Sequence, residues 1–145
     1  WAPENYRETA AATGEPRPTR PINLPALSWL DDVLALPWAR AALVFMPVHI
    51  TAQPRIGSER AVVEQACKAR IDDIARRHGV PVIDFRIPSA LTMRDENYWD
   101  HLHYRVPVGE ELAKRIGVAL KTLKDDPGGT WTVRALPSTT RWETH

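Results

Sequence analysis

The chain has 145 residues, 43% of them hydrophobic, which is enough for one compact domain. A net charge of +1 with 26% charged residues leaves no footprint for nucleic acid or an acidic polymer, and the single cysteine, Cys67, excludes an internal disulfide framework. No run approaches the roughly 18 apolar residues of a membrane span, so no membrane span is expected in this chain.

Residues 1–25 are rich in Pro, Thr, Ala and charge, and Pro16, Pro18, Pro21 and Pro25 forbid a continuous helix. They read as an extended arm that Trp1, Tyr6 and Ile22 pin to a surface. Leu27, Leu30, Val33 and Leu34 then recur at helical spacing, predicting a short helix over 25–36 with Pro25 near its start. The apolar run 41–46, stopped by Pro47, predicts a buried parallel strand. Ser58 suits a helix cap, and Val63, Ala66, Cys67, Ile71, Ile74 and His78 mark the inner face of the helix that follows, ended by Gly79. A second strand is predicted over 80–85, and Leu112, Ile116, Leu120 and Leu123 give a last helix over about 109–123. Asp125-Asp126-Pro127-Gly128-Gly129 turns the chain, and 130–135 is a candidate edge strand before a tail. The order helix, strand, helix, strand, loop, helix is that of an α/β layered domain over 26–124. Strands apolar on both faces need helices on both sides and neighbours at both edges.

The residues that carry chemistry cluster in Tyr98-Trp99-Asp100-His101-Leu102-His103, between the second strand and the last helix. Asp100 and His103 are three positions apart on one loop, a spacing that suits a general base and the carboxylate that orients it. Loops at the carboxyl ends of strands are where α/β sheets place their sites. His49, at the carboxyl end of the first strand, is expected on the same edge, lining a substrate cleft with Trp99 and Tyr98. Arg94 and Arg105 are candidates to meet an anionic substrate. No serine stands out as a nucleophile: Ser58 reads as a cap, Ser89 lies between strand and loop, and Ser28 and Ser138 have no supporting context. His101 and His103 also make a His-x-His pair, but a catalytic zinc needs a third protein ligand, for which Asp84, His49 or Asp95 would have to serve. No motif fixes that ligand, so neither a metal nor any other cofactor is expected.

Gly79-Val80-Pro81-Val82-Ile83-Asp84, then Asp100-x-x-His103, then the helical pattern after Gly109 resemble the C-terminal half of the SGNH (GDSL-type) hydrolases. The resemblance spans residues 41–123 and lacks the family's Gly-Asp-Ser and Gly-Asn-Asp blocks. It implies a three-layer flavodoxin-like sandwich with a parallel sheet, seen in its C-terminal part. It also implies a serine hydrolase or acyltransferase acting on an O-acyl ester, with acetyl the expected group, in which His103 is the base and Asp100 its partner. The nucleophile and the oxyanion donors would come from a missing N-terminal half; a start at Trp1 rather than methionine agrees with this. A second copy of the chain is the other candidate to complete the sheet. Two further readings stay open: a non-catalytic hydrolase-like module binding a glycan or a protein, and a metallohydrolase built on His101 and His103. Some relatives with a Trp- and Pro-rich segment before this half act on bacterial cell-surface polysaccharides, which suggests a periplasmic or envelope location; low cysteine content fits the cytoplasm equally.

Overall fold

A computed structural model describes residues 22–37 and 40–136. The arm at 1–21, with Trp1 and Tyr6, and the tail at 137–145, with Ser138, lie outside the described residues, as do 38 and 39. The elements are α1 (Ala26–Leu34), β1 (Leu43–Phe45), α2 (Glu59–His78), β2 (Val82–Asp84), the single turn α3 (Ala90–Met93), α4 (Val106–Thr122) and β3 (Thr132–Ala135). Two 3₁₀ turns complete the order, Ile50–Ala52 after β1 and Asp95–Asn97 after α3.

The sheet has the order β1-β2-β3. β1 and β2 are parallel, with Val44 opposite Ile83. Both are shorter than the apolar runs that contain them. Pro47 follows the first run, Pro81 is the second residue of the other, and neither can donate to a ladder; the pairing is closed by Leu43 N–H to Pro81 O and Phe85 N–H to Phe45 O. β3 runs antiparallel to β2, so the expected parallel sheet is parallel at β1–β2 and mixed as a whole. An antiparallel edge strand on a parallel sheet is a common arrangement. A register shift between Val82 and Ile83 leaves Arg134 as the extra residue of β3, and its guanidinium turns toward α2.

Alternation along the strands divides the core into two layers. Val82, with Leu43 and Phe45, packs with Leu34, Ile74 and Ala75 of α1 and α2. Ile83 and Phe85, with Val44 and Met46, pack with Val108, Leu112 and Ala119 of α4 and with Trp131. Helices therefore cover both faces. Each fully buried side chain of this kind contributes roughly 1.5–3 kcal/mol, so the α4 layer is a firm floor for the loop that precedes it.

α2 begins at Ser58, whose hydroxyl accepts from Ala61 N–H at 3.2 Å, and ends at Gly79 with φ +66°. Its buried face differs from the expected one. Val63 is exposed and Cys67 only half-buried, whereas Lys68 and Asp72 are buried with Ile74 and Ala75. Ion pairing beneath the sheet explains the difference. Lys68 Nζ donates to Asp84 Oδ2 at 2.7 Å and lies 3.2 Å from Glu64, while Arg134 forks onto Asp72. α4 starts three residues before the expected Gly109, because Pro107 in its first turn is preorganised for helix.

Candidate functional site

The loop from β2 to α4 folds back on itself as a narrow hairpin. Trp99 N–H donates to His103 O at 2.8 Å, Arg105 N–H to Asn97 O at 2.8 Å, and Tyr98 bridges Tyr104 in antiparallel fashion. Asp100 closes its tip. Its Oδ1 accepts from the backbone N–H of Leu102 at 2.7 Å and of His103 at 2.8 Å, an Asx-type turn. Its Oδ2 accepts from His103 Nδ1 at 2.7 Å. The hydrogen bond from His103, joined by the two from the backbone, holds the Asp100 carboxyl down at about 2. Since a carboxylate only accepts, His103 carries its proton on Nδ1 and presents a bare Nε2. The His103 side chain is 73% exposed, and among the described residues nothing is bonded to that nitrogen.

A second loop joins this hairpin. After β1 the chain enters a 3₁₀ turn capped by His49, and His49 N–H donates to His101 O at 2.9 Å. The expected proximity of His49 to the Asp100 loop is thus met, at the carboxyl ends of β1 and β2. His49 is buried; its ring meets Tyr98 edge-on at 5.3 Å, and its Nε2 lies 3.0 Å from Asp95 Oδ1. Thr51 bridges the two loops, 2.8 Å from His49 Nδ1 and 2.6 Å from His101 Nδ1. Nothing in the sequence singles out Thr51: its position two residues after His49 is the only local signal, and its partner His101 lies fifty residues away.

His49, Asp95, Tyr98, Trp99, Asp100 and His101 line a cavity of about 270 Å³. His103 is not among them, so the cleft and the exposed imidazole are neighbours joined through Asp100 rather than one enclosure. The Arg105 guanidinium lies 3.9 Å over the Trp99 ring and donates to Tyr98 O, an arrangement that braces the hairpin. Burial pushes the Tyr98 phenol up to about 12, with Tyr104 adding to the effect.

The hydroxyl candidates do not approach His103. Ser58 caps α2, and Ser89 caps α3 in a capping box with Thr92. Ser28 donates to Pro25 O on the exposed side of α1. Among the described residues no three His, Cys, Asp or Glu side chains are placed to share a metal ion. His101 turns to Thr51, His103 to Asp100 and Asp84 to Lys68. No described helix is long and apolar enough to cross a membrane. The chain matches no protein-family model, no curated protein and no solved structure.

Proposed function

We propose that the chain supplies the histidine–carboxylate part of a serine hydrolase or acyltransferase site of the SGNH (GDSL) kind, acting on an O-acyl ester of a small molecule or glycan, with acetyl the first candidate group. The observation that carries this reading is the 2.7 Å Asp100–His103 pair with its Nε2 open to solvent. It stands on the loop between a parallel strand and a helix packed on the other side of the sheet. On this reading the fold is the C-terminal part of a flavodoxin-like sandwich, and a serine and oxyanion donors approach His103 from residues outside those described. His103 Nε2 takes the serine proton as the hydroxyl oxygen attacks the acyl carbon, then returns it to the leaving alcohol. Asp100 holds the tautomer and stabilises the imidazolium. Trp99, in the wall of the adjacent cavity, holds the substrate, with buried His49 backing the same wall and Arg105 bracing the stack.

The test is turnover of a short acetyl ester by the full-length protein and its His103→Ala variant. Equal activity in the two, with both folded, would sink the reading.

A binding module is the second reading, and one observation favours it. Trp99, Leu102 and Val106 around the pair are 70%, 58% and 72% exposed, an apolar border suited to a glycan or protein partner. A folded full-length protein that retains a glycan ligand but turns over no ester would select it.

A further inference from the structure

Beside the Asp100–His103 pair, a second hydrogen-bonded series runs from His49 through Thr51 to His101, with the Asp95 carboxylate at its inner end, and elementary chemistry fixes each donor and acceptor. The backbone N–H of Thr51 can only donate, and it points at His49 Nδ1 from 3.4 Å, so that nitrogen accepts and a neutral His49 carries its proton on Nε2. His49 Nε2 lies 3.0 Å from Asp95 Oδ1 without the alignment of a hydrogen bond, close enough for the carboxylate to stabilise positive charge on the ring. The Thr51 hydroxyl donates to His49 Nδ1 from 2.8 Å. With its proton so placed, Thr51 Oγ1 has only lone pairs for His101, and His101 Nδ1, 2.6 Å away, is the donor. His101 Nε2 is left bare, on an exposed side chain that lines the 270 Å³ cavity.

We infer that His101 is a second base at this cavity, poised by Thr51, His49 and Asp95, and that the cavity takes the hydroxyl group of an uncharged alcohol or sugar. As the ligand oxygen turns its O–H electron pair into a new bond to an acyl carbon, whose leaving oxygen takes its proton from His103, His101 Nε2 gains the hydroxyl proton, His101 Nδ1 releases its own to Thr51 Oγ1, and the Thr51 proton moves to His49 Nδ1. One N–H forms at each histidine and one breaks at His101, so the positive charge comes to rest on buried His49 beside the Asp95 carboxylate. Thr51, His49 and Asp95 are positioning residues. The ligand class follows from the bare His101 nitrogen, which accepts a hydroxyl proton; the Tyr98 hydroxyl, without a partner among the described residues, is wholly buried and only the residue's remaining surface lines the cavity. Anions are disfavoured by Asp95 and Asp100 in the wall, and both carboxylates are already engaged by histidines. The tautomers and the hydroxyl site go beyond the ester chemistry and do not need it; the proton transfer, in which the alcohol oxygen gains an acyl bond, rests on that reading.

Long-range proton–nitrogen NMR of the full-length protein, labelled in histidine and held near pH 8.5 where ordinary imidazoles are neutral, reads the tautomers directly. His49 should be protonated at Nε2 and His101 at Nδ1. Thr51→Val should return His101 to the Nε2-protonated form, and Thr51→Ser should keep the wild-type pattern. Should Thr51→Val fail to fold, the wild-type and Thr51→Ser spectra decide alone. Wild-type His101 protonated at Nε2 overturns the relay. Methyl β-glucoside should shift His101 Nε2 saturably, and a shift shared equally and linearly by every exposed histidine overturns the ligand class. Neither readout needs turnover, so an inactive protein with these tautomers removes the hydrolase reading, and the proton transfer with it, and leaves the poised His101 site supported.

Discussion

Lys68 Nζ stands 2.7 Å from Asp84 Oδ2, and His103 Nδ1 stands 2.7 Å from Asp100 Oδ2, but the surroundings of the two pairs are opposite. Lys68 and Asp84 are buried between α2 and the sheet. Every oxygen and proton there has a use: Asp84 Oδ1 accepts from Arg86 N–H, Lys68 also donates to Arg86 O, and Arg134 Nη1 lies 3.7 Å from Asp84. A cavity of about 190 Å³ touches this group, but its charges are already matched to one another. The Asp100–His103 pair is open, and one ring nitrogen is committed to nothing. A closed pair specifies structure, because removing either member strands a charge in a medium that cannot solvate it. An open, oriented pair adds little to stability and leaves a nitrogen available for chemistry. Substitutions should therefore separate cleanly: activity lost without stability at the hairpin, stability lost at the pair beneath the sheet.

The largest expected effect is on turnover. In the full-length protein His103→Ala should lower acetyl-ester turnover by on the order of 10³- to 10⁴-fold and Asp100→Asn somewhat less, with the thermal midpoint nearly unchanged. A large drop in the midpoint with residual turnover intact would reverse the roles assigned to the two pairs. The 145-residue chain alone should be inactive, because a base without its nucleophile has nothing to activate. Turnover by that chain, kept in Ser58→Ala and Ser89→Ala variants, would refute the mechanism.

Next comes the buried pair. Lys68→Met or Asp84→Leu should each cost about 3–5 kcal/mol in denaturant unfolding, since each leaves its partner charged and buried. The double replacement should cost much less than the sum. Additive losses would show that the two charges are solvated well enough to be independent, and the contrast with the hairpin would collapse.

These two regions also mark where pattern reading succeeds. The Ser58 cap, the Gly79 stop and the three-residue spacing of Asp100 and His103 are local, and local rules act on them directly. Lys68 and Asp72 defeat hydrophobic periodicity, because a buried charge is set by a partner on another element, here Asp84 and Arg134. α3 and the 3₁₀ turns are too short to leave any period. The Thr51–His101 contact joins loops fifty residues apart, a relation that no spacing in the chain encodes. The direction of β3 was equally hidden, since an edge strand with one neighbour has no apolar signature that distinguishes parallel from antiparallel.

A smaller effect concerns the outer edge of β1. Among the described residues β1 pairs only with β2, and its residues Leu43, Val44 and Phe45 are half-buried. We expect another strand to seal this edge, from the upstream half or from a second copy of the chain. Sedimentation of the 145-residue chain should then show concentration-dependent dimers. A monomer whose Val44 amide resists hydrogen exchange would place the sealing strand within residues 1–21 instead.

The smallest effect is the acid titration of the hairpin tip. The folded Asp100 carboxyl is held at about 2, below its ordinary 3.8, chiefly by His103 and then by the Leu102 and His103 amides. A depressed carboxylate adds stability that is fully present above its unfolded value and is lost as pH falls through the folded one. The hairpin should therefore be intact above about pH 4 and loosen between 3.8 and about 2. Because Asp100 is exposed, solvent screening keeps the global stability almost flat over that window, so the place to look is local. Carbon NMR of the Asp100 carboxyl should give a midpoint near 2, and exchange of the Leu102 and His103 amides should quicken as it protonates. In His103→Ala the midpoint should climb partway toward 3.8, the two backbone hydrogen bonds retaining part of the depression. A wild-type midpoint already at 3.8 would mean that the carboxylate does not orient His103 in solution, and the open pair would lose the property that sets it apart from an ordinary surface contact.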